Sequence, residues 1–348
     1  MRICTIATYF FSLIAILIAC NSDTDRNGRP IPNVSNIKIN LQLDRFDEDL
    51  WSIDTNQLAD GVSFLEKKYP DFAPLLFNRI LKNPQNPKET SAEILGSLIR
   101  PLEMRGLKDS VNRVFGDFSS EKKELARLCQ FYKFYFPNKP VPRFLAVNTG
   151  YGYGVFPVSD SLFCFSTEFF LGENHPAYRE MLDLPEYIRE RMDKKYLAAQ
   201  VAESFATDLA GPPTGRRLLD EMFANGKAYF VKECLIPESP DSIKWGFTQK
   251  QVEWALQNEL EIWSYLLQEK LLYSTDREKF KKLTGESPNA GDSPPALREA
   301  PGRVANWLGY RIVCAWMRRH PQASLDELLV QNDPQKFLEA AKYKPKKQ

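Results

Sequence analysis

The sequence predicts a mostly helical α+β domain with a small central sheet. Three observations carry that reading. Long stretches place apolar residues at helical spacing, as in 120-SEKKELARLCQFYKFYF-136, where Leu125, Leu128, Cys129, Tyr132 and Tyr135 share a face. Two short apolar and aromatic runs, 142-PRFLAVNTG-150 and 161-SLFCFSTEFFLG-172, are bounded by turn residues and read as strands. Helix-start signals recur, with Thr90/Glu93, Thr248/Gln251 and Ser324/Glu327 each spaced as a capping box.

In chain order, the opening MRICTIATYFFSLIAILIAC has one basic residue, Arg2, an apolar run and then Leu17-Ile18-Ala19-Cys20. That run is short for a membrane span and fits a secretory signal ending in a lipobox. An N-terminal membrane anchor is the competing reading. The lipobox makes residues 1–19 the signal peptide and Cys20 the lipidated first residue of the mature chain. Residues 20–36, with Gly28, Pro30 and Pro32, form a flexible tether, and 37–348 form a single domain.

Alternation in 37-IKINLQLDRF-46 predicts a strand. Helices are predicted from Asp54 to about Tyr69, over 91–99 and over 120–136. The glycines at 150, 152 and 154 lack the spacing and following helix of a dinucleotide site and suggest a hairpin or loop at the sheet rim. Further helices cover 193–209, 216–231 after the turn 211-GPPTG-215, 249–272 and 303–319, with a last one capped by Ser324. Gly226-Lys227 lacks the upstream glycine of a P-loop. The Pro-Gly-Ser-rich loop 284–302 is the clearest insertion or lid candidate. No internal repeat is seen.

Composition bounds the function. With 46 basic and 45 acidic residues, the chain lacks the basic excess of a general nucleic-acid binder. Beyond Cys4 and Cys20, the cysteines are Cys129, Cys164, Cys234 and Cys314, dispersed and without a C-x-x-C pair. Two disulfides are open to an exported protein; free buried thiols are the favoured reading.

The stretch 202-AESFA-206 has the spacing of the zinc-peptidase motif H-E-x-x-H with both histidines replaced by alanine. Glu203 stands where the general base would be, but it has no ligands beside it to hold the metal that activates water. The third ligand, a glutamate on the next helix, is matched by Asn225. The only histidines, His175 and His320, each precede a proline and lack a partner four residues on. No G-x-S-x-G elbow marks a serine nucleophile, and no carboxylate pair stands out for glycosidase chemistry. No metal or cofactor is therefore expected. Glu203, Asn225, Glu259, Arg303 and Tyr310 remain as candidate lining of a vestigial cleft, against the simpler reading of buried, hydrogen-bonded polar groups. Lys342, Lys344, Lys346 and Lys347 form a basic tail that suits anionic head groups or a partner, or is simply solvated.

Taken together, the lipobox, 132-YKFYFPNKPVPRFLAV-147, 168-EFFLGENHPAY-178, 218-LLDEMFANGKAYFV-231, 253-EWALQNELEIWSYLLQEKLLYSTD-276, 301-PGRVANWLGYRIV-313 and 342-KYKPKK-347 resemble the gliding motility lipoprotein GldB family of Bacteroidetes. The resemblance covers essentially the whole mature chain. It departs from the family's commoner form in 302-GRVANW-307 and in the proline-rich 288–295 loop. It implies a gluzincin-like scaffold without zinc ligands, a pseudo-metallopeptidase and not an enzyme. It further implies a lipid-anchored outer-membrane protein facing the periplasm, acting in gliding and type IX secretion by binding other envelope proteins. The alternative is a hydrolase, or a peptide- or glycan-binding protein, that uses the degenerate cleft.

Overall fold

The computed structural model describes residues 24–25, 27–180, 183–290 and 297–345. Cys20, Lys346 and Lys347 lie outside the described residues, as does part of the 284–302 loop. The chain divides after Asn33. Before that point, Thr24 bridges to Pro30 across a turn, and Asp25 accepts from the Arg29 backbone and guanidinium. From Val34 onward the chain forms one compact unit, mostly helical, with one four-stranded mixed sheet.

The sheet comprises β1 (Leu43–Arg45), β2 (Arg143–Val147), β3 (Val155–Ser159) and β4 (Leu162–Ser166), in the order β1-β2-β4-β3. β1, β2 and β4 run parallel, and β3 joins β4 as an antiparallel hairpin. The interior strands are apolar apart from Arg143 at the start of β2 and Ser166 at the end of β4, as expected of strands covered on both faces: all five residues of β4 are buried. Pro157 sits in β3, at the edge, where its missing donor interrupts nothing, and the register slips beside it. Of the two readings of the glycine run 150–154, hairpin or loop at the sheet rim, the chain takes the hairpin: β3 follows the glycines and pairs with β4.

The strand expected over 37–46 is shorter than its pattern. Exposure does alternate from Ile37 to Asp44, but the ladder covers only Leu43–Arg45. The parallel register that sets Leu43 against Phe144 would set Leu41 and Ile39 against Pro142 and Pro140. Prolines have no N–H to donate, so pairing stops there.

Most predicted helices form within a few residues of their expected ends. All three capping boxes close, at Thr90/Glu93, Thr248/Gln251 and Ser324/Glu327. The helix expected over 249–272 is instead two, Gln249–Gln257 and Glu259–Gln268. The break falls at Asn258, whose backbone leaves helical geometry (φ −108°, ψ 19°) and whose side-chain amide joins its own N–H on the Trp254 carbonyl at 2.8 Å. The helix Leu102–Phe115 has no counterpart among the expected elements, although Met104, Leu107, Val111 and Phe115 form its buried face. The last helix is also two, Leu325–Leu329 and Pro334–Ala341.

At the centre lies Leu218–Leu235, buried on nearly every side and therefore apolar around most of its circumference. It packs against Leu197–Ala210 on one side and Val304–Arg319 on the other. The second contact is a backbone-to-backbone approach. A Cβ on Gly309 would lie 2.0 Å from the Met222 carbonyl oxygen, and one on Gly226 would lie 2.4 Å from the Gly309 carbonyl carbon. No other residue type fits either position without separating the helices. The four cysteines Cys129, Cys164, Cys234 and Cys314 are buried and free. No described helix is long and apolar enough to cross a membrane.

Candidate functional site

Glu203 projects from Leu197–Ala210 toward the central helix. The residue that meets it there is Lys232, not Asn225: the ammonium donates to Glu203 Oε2 at 2.7 Å. Lys232 is nearly sealed, with 4% of its side chain exposed, whereas Glu203 is 40% exposed to a cleft. Arg303 closes the cluster. It sits in a left-handed turn (φ 62°) just before Val304–Arg319. Its guanidinium lies 4.0 Å from Glu203 and 3.1 Å from Glu286, and it donates to the Trp245 and Gly246 carbonyls at 3.1 and 3.3 Å. Gly246 is required beneath it, since its φ is +64° and a Cβ would approach the guanidinium to 2.8 Å. Arg191 completes the set with a bidentate pair to Glu286 at 3.0 and 2.6 Å.

The ring therefore has three cations against two carboxylates. Burial by itself would raise the Glu203 pKa, but Lys232, Arg303 and Arg191 outweigh it and hold the carboxylate at about 2. Desolvation pulls the Lys232 pKa down, partly offset by Glu203. Burial likewise raises the Tyr229 pKa to about 12, and its hydroxyl, buried in the same neighbourhood, has no hydrogen-bond partner among the described residues. A cleft of about 650 Å³ opens over Glu203 and Lys232, with Phe169, Leu184, Ile188 and Met192 in its walls beside Gln200 and Thr207.

The other expected site residues lie elsewhere. The Asn225 amide donates to Asn306 Oδ1 at 3.0 Å, and Asn306 donates onward to the Thr284 carbonyl at 2.8 Å, tying three elements together. Tyr310 donates to Glu233 at 2.9 Å within the core. Glu259 receives Arg311 at 3.1 Å and Tyr343 at 2.6 Å, lining a different cavity. Of the five, only Glu203 and Arg303 come together. Among the described residues, no three His, Cys, Asp or Glu side chains converge as a metal would need.

Three members of the cluster were missed by sequence reasoning. Lys232 had a signal: it is a charge in the apolar run 228-AYFVKECLIP-237, and a buried ammonium requires a carboxylate. Arg191 and Glu286 come from separate irregular segments, and no local pattern links them.

A second buried carboxylate holds the glycine-rich loop. Glu168, fully buried, accepts from Thr149 N at 2.8 Å, Thr149 Oγ1 at 3.1 Å and Tyr151 N at 3.2 Å, all through Oε1. Oε2 is buried with no partner among the described residues. Desolvation outweighs the three donors and raises the pKa to about 7. A carboxyl with a raised folded-state pKa binds its proton more tightly folded than unfolded. Its ionisation therefore costs stability as pH rises from the unfolded value of about 4.3 through 7. The loss is on the order of 3 kcal/mol by pH 8. Glu168→Gln, whose Oε1 still accepts the same bonds, is expected to flatten the pH 5–8 stability profile. Urea denaturation across that range checks it, and an unchanged profile would assign the dependence to other groups.

The family model described as gliding motility protein GldB matches residues 27–345. The chain belongs to the GldB family. GldB proteins are gliding motility lipoproteins by the family's name, so this chain is a membrane-anchored envelope protein of a gliding motility system. No curated protein and no solved structure matches it.

Proposed function

We propose that this GldB chain serves gliding motility and the associated type IX secretion without catalysis of its own. It is tethered by lipid on Cys20 to the outer membrane, faces the periplasm and holds partner proteins of the machinery. The observation that supports this is the Glu203–Lys232–Arg303 cluster. A general base works best with a pKa near the operating pH, and a carboxylate held at about 2 is a very weak base. Lys232 occupies the space beside Glu203 with a cation, which repels the metal that a peptidase of this arrangement would use. The degenerate peptidase scaffold belongs to the same reading.

A deletion strain tests it when complemented with Glu203→Gln/Lys232→Met, a pair that removes both charges together. Motility and secretion are expected to persist at wild-type levels, and crosslinking in cells is expected to capture envelope components. Loss of both activities, in a variant that unfolds at the wild-type temperature and still captures its partners, would assign chemistry to this site.

The cleft beside Glu203 favours a second reading, a peptide- or glycan-binding protein or a hydrolase using other residues. Its apolar walls with a few polar groups are the usual lining of a ligand site. Native mass spectrometry of the purified chain decides it through a co-purifying ligand.

A further inference from the structure

A second charged cavity lies away from the Glu203 cleft, between the end of Val304–Arg319 and the C-terminal segment, with a volume of about 580 Å³. Its floor is built and neutral. Glu259, 7% exposed, takes the Arg311 guanidinium at 3.1 Å and the Tyr343 hydroxyl at 2.6 Å, and Tyr343 packs edge-on against Trp263 at 5.3 Å. These contacts fix the segment that forms one wall. The rim is cationic: Arg318 and Arg319 on the helix side, Lys342 and Lys344 on the tail side.

Part of this charge has a structural explanation. Arg318 and Arg319 occupy the last helical turn, where cations complement the helix dipole, and Arg319 Nε donates to the Ala341 carbonyl at 2.8 Å. That leaves Lys342 and Lys344. Neither they nor Arg318 has an ion-pair partner among the described residues. The one carboxylate in the cavity, Glu259, already has Arg311 and Tyr343 as partners. Four solvent-exposed cations lining one concave space repel one another, and a low-dielectric wall focuses the field into it. An anion in the cavity relieves that repulsion, and planar guanidiniums beside ammonium groups are the donor set that suits phosphate oxygens.

We propose that this cavity is a binding site for a phosphate group, carried either by a lipid headgroup or by a free phosphate compound. The proposal is independent of the reading of the Glu203 cleft.

Hydrogen exchange on the full lipidated chain tests it with two probes. In a neutral detergent, inorganic phosphate is titrated. In bilayers, the chain is compared in phosphatidylcholine alone and with phosphatidylglycerol added. The segments to follow are 316–320 and 341–345, whose exchange is expected to slow roughly tenfold on occupancy. Slowing by phosphate in detergent identifies a free phosphate as a sufficient ligand; slowing only in the anionic bilayer identifies the headgroup. Slowing by neither overturns the proposal. Arg318→Gln/Lys342→Gln/Lys344→Gln is expected to weaken the response by roughly fivefold per charge, on the order of a hundredfold in all. Lys122→Gln/Lys123→Gln/Lys279→Gln removes the same charge elsewhere and is expected to leave it unchanged. Equal weakening by both triples would reduce the effect to diffuse surface charge and overturn the site.

Discussion

Gly309→Ala is expected to lower the unfolding free energy by about 3 kcal/mol or more, the upper range for overpacking a core. The added methyl carbon meets the Met222 carbonyl oxygen at 2.0 Å, and that oxygen belongs to the central helix backbone. A side chain could rotate away; a helix backbone moves only as a unit, and interiors at crystal-like density have no space to receive it. Gly226→Ala meets the same interface from the other helix and is expected to behave alike. Gly106→Ala is the control. It lies in Leu102–Phe115 with no atom within 4 Å of a new Cβ, so it is expected to stabilise by roughly 0.5–1 kcal/mol through helix propensity alone. Urea midpoints of the three variants check the contrast. A Gly309→Ala midpoint close to wild type would mean that the two helices do not touch at this point.

Glu203→Gln is expected to cost about 2–3 kcal/mol of stability. Breaking a buried ion pair strands the remaining charge, and Lys232 is nearly sealed with two further cations nearby. The figure lies below the full range for an enclosed pair because Glu203 is 40% exposed to the cleft and is partly screened. Adding Lys232→Met to Glu203→Gln is expected to recover more than half of the loss, so the two changes are strongly non-additive. Acid provides an independent readout. The depressed Glu203 pKa contributes stability that is complete above the unfolded carboxyl's range and fades as pH falls from there toward 2. Glu203→Gln should remove that part of the acid sensitivity. Simple additivity in the double variant would dissolve the pair as an energetic unit.

Local patterns that carry their own hydrogen-bond partners survived folding: each of the three capping boxes is a side-chain and backbone exchange within four residues. Breaks written into the backbone were harder to see. Asn258 lies inside a good apolar stripe, and the helix ends there because its backbone leaves helical geometry. The strand from Ile37 failed for a non-local reason, because its missing donors are Pro140 and Pro142, a hundred positions away in the partner strand.

The site shows the same division more sharply. Histidines absent from 202–206 are a fact of composition, so the inability of this helix to present two imidazoles to a metal was already determined by the sequence. So were the capped helices, the apolar interior strands and the membership signalled by motifs along the chain. Which group stands beside Glu203 was a tertiary matter. The rotation of Leu218–Leu235 about its axis brings Lys232 to Glu203 and turns Asn225 toward Asn306. That rotation follows from the close seating of Gly226 on Gly309, a contact between residues 83 positions apart that no local pattern encodes. Helical periodicity assigns residues to faces, and only the packing of one helix on another decides which face meets which.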